Sequence, residues 1–255
     1  VVSRTDDEAV DRARARVDAF EDLIRRAIEE NYHRNFDARF AAHLIPNDPV
    51  LAWDLRDLTD RYTSAGAYPA ERLAGVLDRA IDLKLQYHFV MTTLGIHNTV
   101  ISQDFHIASP LDTPRDHLMH LSVMQSLIGQ VRVLWERLMT LVYYLETGGD
   151  PRGKSVRRVF FGALGGWGER WTVLREWEPV VDDYDAEFRT PEYHNRSRMR
   201  RELFGGPVTD PNEIMALITP VMNGFWPVLC ANVAGARRSV VRLGHNVSSG
   251  LPDDP

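Results

Sequence analysis

An all-α fold in a single domain follows from three observations. Apolar residues recur at helical spacing along nearly the whole chain, and strand-type alternation is scarce. Glycine and proline cluster at a few breaks such as LIPNDP, TSAGAYP and GGPVTDP rather than at the regular short spacing of a β-protein. One segment, TPRDHLMHLSVMQSLIGQVRVLWERLMTLVYYLETGG, is apolar on most sides and carries helix signals at both ends. The 255 residues are enough for several packed layers of helix, and no repeat or low-complexity tract divides them.

The elements are predicted in order. A first helix runs from about Asp6 to His43 and stops before LIPNDP; a short one covers Leu51 to Tyr62. A third starts near Pro69, which suits a first turn, and reaches Thr93. GIHNTVISQDFHIASPLD reads as a loop with one further turn of helix. The long central helix follows, with Thr113 placed to cap it, Pro114 at its first position and Gly148 and Gly149 at its end. It spans roughly 50 Å at 1.5 Å per residue. Leu118, Leu121, Val123, Ile128, Val131, Leu134, Leu138, Leu141, Val142 and Leu145 make it a buried, central element.

DPRGKSVRRVFFGALGGWG then connects to a tryptophan-rich helix from Glu169 to Phe188, interrupted by Pro179. Thr190 and Pro191 start another helix, and a final one runs from Asn212 to Leu243 with kinks at Pro220 and Pro227. SSGLPDDP reads as a frayed tail.

Composition narrows the function. Hydrophobic residues at 44% and charged residues at 26% match an ordinary globular protein. The net charge of -6 speaks against a general nucleic-acid binder, which needs a broad basic face. Cys230 is the only cysteine, so there is no intramolecular disulfide, no CxxC zinc site and no CxxCH haem attachment. The charged N-terminal stretch carries no signal-peptide pattern, and no apolar run is seen that approaches membrane-spanning length. A cytoplasmic protein with no membrane partner is expected.

EFRTPEYHNRSRMRRELFGG sets one histidine, His194, before a knot of arginines. Arg198 and Arg201 fall within roughly 40° of His194 on a helix, while Arg196 and Arg200 lie on other faces. That arrangement suits a flat ligand held at its centre by an imidazole and at its edge through carboxylates, as haem is held by an axial histidine and by arginines at its propionates. A solvated helix face pairing with Glu192 and Glu202 explains the same residues. On the third helix His88 follows Leu77, Ile81 and Leu85 on one stripe, which predicts an inward position. A satisfied core histidine is the plain alternative there.

LQYHFVMTTLGIHN, MQSLIGQVRVLWERLMTLVYYLETG and FRTPEYHNRSRMRRELFG, about half of the chain, together resemble the bacterial histidine-ligated haem-dependent tyrosine hydroxylases of antibiotic pathways. These belong with the tryptophan 2,3-dioxygenase-like haem enzymes. The resemblance implies that family's all-α haem fold and a non-covalently held haem b, with His194 as its axial ligand. It also implies His88 as a catalytic acid–base, with Tyr87, Phe89, His97 and Asn98 as pocket-lining neighbours. The implied reaction uses hydrogen peroxide to hydroxylate L-tyrosine ortho to its phenol, giving 3,4-dihydroxyphenylalanine. A homo-oligomer built through long helices is implied as well.

Other uses of the same residues stay open. Arg115, Asp116 and His120 in RDHLMH fit the arginine–polar–x3–histidine pattern of the all-α HEPN ribonucleases. Glu30 and His33, with Glu21, Asp37, His43 and Asp116–His120, suggest a partial di-iron carboxylate set. A non-catalytic helical interaction protein requires none of these sites.

Overall fold

The computed structural model describes residues 4–34, 53–97, 114–152, 155–190, 201 and 209–247. Helices α1 (Arg4–Arg34), α2 (Leu55–Ala65), α3 (Leu73–Ile96), α4 (Pro114–Thr147), α5 (Val156–Leu164), α6 (Glu178–Tyr184) and α7 (Pro211–Val247) build one packed body, with no strand among the described residues. A 3-10 turn, Ala70–Arg72, precedes α3; a 3-10 segment, Glu169–Trp177, leads into α6, and a π-type turn, Asp185–Arg189, follows it.

Local chemistry sets the ends. Asp54 caps α2 by accepting hydrogen bonds from the backbone N–H of Arg56 (2.8 Å) and Asp57 (3.3 Å). Gly66, at φ 63°, ends that helix in the left-handed region. Ser155 caps α5 by accepting from the Arg158 N–H. Predicted and observed boundaries agree best at α4, which starts at Pro114 and is stopped by Gly148 at φ 76°.

α3 and α4 form the centre as an antiparallel pair. Contacts climb one helix as they descend the other: Gly75 meets Tyr144, Asp82 pairs with Arg137, Gln86 donates to the Gln130 carbonyl, and His97 meets His120. A Cβ on Gly75 would collide with the Tyr144 hydroxyl, so the absence of a side chain is what allows the approach. The Arg79 guanidinium lies over that ring, 3.7 Å from its centroid.

α4 is buried along its length as predicted, through residues including Leu121, Ile128, Val131, Leu134, Leu138, Leu141, Val142 and Leu145. Leu118 departs from this, being 61% exposed, and Val123 is only half-buried. DPRGKSVRRVFFGALGGWG is not merely a connector, because it contains α5, which buries Phe160, Phe161 and Leu164. The tryptophan-rich segment is divided three ways, into 3-10, α and π stretches, rather than being one helix.

α7 passes through Pro220 and Pro227 as one helix. Both prolines face solvent, as do Ala216 and Asn223, whose carbonyls lose their usual partners; water can satisfy them there. The other side of α7, from Ile214 to Val233, packs mainly on α2. Residues Pro211–Gly235 are long and apolar enough to cross a bilayer by length and composition, contrary to the expectation of no such run, although half of that stretch is buried inside the fold.

Candidate functional site

α3 brings most of the predicted pocket residues that the structure describes. Its buried face runs through Leu73, Val76, Ala80, Leu83, Tyr87, Val90 and His97. The stripe of Leu77, Ile81, Leu85 and His88 lies roughly 130° from the middle of that face, more than a third of a turn. Leu77 is buried, but Ile81, Leu85 and His88 are half-buried, so His88 stands at the edge of the core rather than within it. One turn before it, Lys84 is 2% exposed; its ammonium donates to both Glu21 carboxylate oxygens and to the Trp53 carbonyl, all at 2.8 Å.

The neighbours separate. Tyr87 is 1% exposed and packs on Trp53 with ring centroids 5.4 Å apart, and Trp53 stacks in turn on Trp226 at 5.2 Å. Tyr87 therefore belongs to an aromatic stack joining α3 to α7. Phe89 is 51% exposed and points away from it. His97 is buried, with its Nε2 3.0 Å from Nδ1 of His120. In that hydrogen bond one imidazole donates and the other accepts, so each ring constrains the tautomer of the other. Asn98, His194 and Arg198 lie outside the described residues; Arg201 is exposed and meets no carboxylate among them.

The pairing of His97 with His120 unites residues that the sequence assigned to different chemistries. His120, 2% exposed, is turned into the helix pair rather than toward a phosphodiester in solvent. Glu21 is likewise engaged by Lys84. Among the described residues no group of three or more histidine, cysteine, aspartate or glutamate side chains could hold a metal ion. The di-iron candidates His33, Asp37, His43 and Asp116, and Arg115 of the ribonuclease pattern, have no described side chain, as is the case for Glu30.

Cys230 is buried on α7, and burial, reinforced by the nearby Asp57 carboxylate, pushes its thiol up to about 11. It therefore stays protonated at neutral pH and is a poor nucleophile or thiolate ligand. The raised value favours the folded state fully below the ordinary thiol range, and that contribution falls as pH rises through it toward about 11. At pH 7.5 a disulfide reagent is expected to modify native protein about 100-fold more slowly than protein in denaturant, read as thiolate release. Equal rates would show the thiol to be accessible.

One concavity has no counterpart in the sequence expectations. A cleft of about 910 Å³ opens between α4, α5 and the segment from Arg175 to Arg189. Trp135, Met139, Val156, Phe161 and Val181 supply its apolar wall. Five arginines, Arg132, Arg157, Arg158, Arg175 and Arg189, line it against three carboxylates. Glu136 holds Arg132 at 3.1 Å, and Asp185 holds Arg157 at 3.4 Å and Arg189 at 3.2 Å. Asp182 also pairs with Arg157.

Comparison with protein-family models, with curated proteins and with solved structures gives no match for this chain. Its chemistry must therefore be argued from its own residues. The cleft escaped sequence reasoning because its arginines come from four separate segments, whereas the conspicuous knot lies at 196–201. The available signal was α5 itself: Ser155 as a cap before Val156, Val159, Phe160, Ala163 and Leu164 at helical spacing, with Arg157 at the margin of that face and Arg158 opposite it.

Proposed function

We propose that this chain is a haem-dependent hydroxylase that uses hydrogen peroxide to place a hydroxyl on the ring of L-tyrosine, ortho to the phenol. The observation that carries the proposal is the setting of His88, a half-buried imidazole on α3 next in sequence to the core residue Tyr87. Such a group is covered on one side and keeps part of its surface exposed on the other. The three stretches that resemble the histidine-ligated haem hydroxylases support the same reading.

The side chains are compatible with haem. A histidine-ligated haem requires one axial imidazole and cations for its propionates, not a cluster of carboxylates. His194 is the candidate ligand, and Arg198 and Arg201 are the candidate cations. Arg201 is exposed and tied to no described carboxylate. Cys230 is unsuited to be the ligand, since its thiol is held protonated.

Haem, when bound, supplies the activation of the peroxide oxygen. His88 would take a proton at its imidazole nitrogen and return one to the departing oxygen, or hold the tyrosine hydroxyl by a hydrogen bond. Tyrosine and peroxide become 3,4-dihydroxyphenylalanine and water. Arginine side chains would orient the amino-acid carboxylate.

An absorption spectrum tests the cofactor. Protein expressed with ample haem precursor is expected to show a strong Soret band that His194→Ala removes. His88→Ala is expected to keep the band and lower catechol formation about 100-fold or more, within the range of general acid–base catalysis. Colourless wild-type protein overturns the cofactor assignment, and undiminished hydroxylation by His88→Ala overturns the role of His88.

A further inference from the structure

We propose that the arginine-lined cleft is a binding site for an organic anion of nucleotide size, with a flat apolar body and two or more negative charges. The proposal does not rest on the haem reading. Residues of α4 that face α3, such as Gln130, Arg137 and Tyr144, lie on roughly the opposite side of the helix from Arg132, Trp135, Glu136 and Met139 of the cleft. No residue of α3 lines it.

Charge is the first argument. In a chain of net charge -6, the cleft lining carries an excess of arginine over carboxylate. Arg158 and Arg175 are exposed and meet no carboxylate among the described residues. The other three guanidinium groups are held in place by Glu136, Asp182 and Asp185. Oriented arginines beside unpaired ones suit recognition of phosphate or carboxylate oxygens, which guanidinium groups bind through paired N–H donors.

Shape and polarity supply the second argument. About 910 Å³ is far more than an inorganic anion fills and lies within the range of pockets for cofactor-sized molecules. The apolar wall of Trp135, Met139, Phe161 and Val181 matches a ring system rather than a bare phosphate. Trp135 adds an unmet demand: its indole N–H is buried and has no acceptor among the described residues. Trp135 itself lines the cleft, so a ligand oxygen placed against it would supply one. Leaving such a donor unpaired is costly, so an acceptor delivered by a ligand contributes to binding.

Calorimetric titration with adenosine diphosphate, adenosine and inorganic pyrophosphate tests this on the intact chain. Adenosine diphosphate is expected to bind about 10-fold or more tightly than either adenosine, which lacks the charge, or pyrophosphate, which lacks the ring. Arg158→Ala combined with Arg175→Ala is expected to weaken it about 10-fold or more, with the melting temperature retained. Gly162→Leu is a charge-neutral check: Gly162 lines the cleft, a Cβ there meets nothing within 4 Å, and the added side chain should block binding. Adenosine diphosphate binding no more tightly than adenosine overturns the proposal, as does undiminished binding by both variants. Loss of the Soret band in His194→Ala with this binding intact would separate the cleft from the haem reading.

Discussion

Replacing Lys84 with alanine is expected to destabilise the fold by ~3–5 kcal/mol, the range for breaking one side of a buried ion pair. Three acceptor contacts converge on one ammonium: both oxygens of Glu21 from α1 and the Trp53 carbonyl just before α2. The Glu21 carboxylate also accepts the Leu55 N–H at the start of α2, at 3.4 Å. Lys84 thus joins α3 to two other elements, and its alanine variant leaves a largely buried carboxylate without its counter-charge. The lost side chain opens a cavity in addition. Lys84→Met keeps most of the stem and isolates the electrostatic part. Combined with Glu21→Leu it should regain most of the loss, because a matched apolar pair no longer strands a charge. Urea denaturation of the wild type, Lys84→Met, Glu21→Leu and the double variant measures the cycle. A loss below about 1 kcal/mol in Lys84→Ala would show the pair to be exchangeable with water.

The helical frame was readable because its signals are local. Pro114 and Gly148 bracket α4, and the apolar residues between them point to a buried helix within a short window of sequence. Leu118 misleads because apolarity at one position does not say whether a partner element covers it. α5 was missed for a related reason: glycines on its C-terminal side obscured a helix defined by the Ser155 cap and its buried Phe160, Phe161 and Leu164. The divided segment from 169 to 189 shows how packing of Trp171, Tyr184 and Phe188 can override simple α periodicity.

The candidate site was less readable because it depends on contacts distant in sequence. His97 and His120 are 23 residues apart, and neither pattern that singled them out suggested that they pair. His88 has the helical phase of Leu77, but that phase is the border of the buried face, and the border becomes visible only once α1 and α4 are packed on α3. The arginine cleft is the clearest example. Arg132, Arg157, Arg175 and Arg189 are scattered singly or in pairs along the chain, and folding alone turns them into one surface.

Glu146→Ala is expected to be as damaging as loss of Lys84, again about 3–5 kcal/mol, because three donors depend on one carboxylate. Tyr68 donates its hydroxyl to Oε1 at 2.8 Å, the Trp171 indole donates to the same oxygen at 2.8 Å, and Arg170 donates to Oε2 at 2.6 Å. These bonds fasten two segments outside the α-helices, the one before α3 and the 3-10 stretch before α6, to the last turn of α4. Without the carboxylate, Trp171 retains a fully buried N–H with no acceptor, and Arg170 loses its counter-charge. Burial, together with the Glu146 charge, also pushes the Tyr68 phenol far above its ordinary range, so it is a donor at all physiological pH values. Glu146→Gln separates charge from shape: its carbonyl can still accept from Tyr68 or Trp171, while Arg170 is left uncompensated, and an intermediate loss is expected. Hydrogen exchange distinguishes a local from a global effect. Glu146→Ala should accelerate exchange at the Trp171 indole and in the 169–177 segment before it does so in α3, because only the former loses direct partners. Uniform acceleration throughout the chain would instead make Glu146 a determinant of the whole fold rather than the clasp of these two segments.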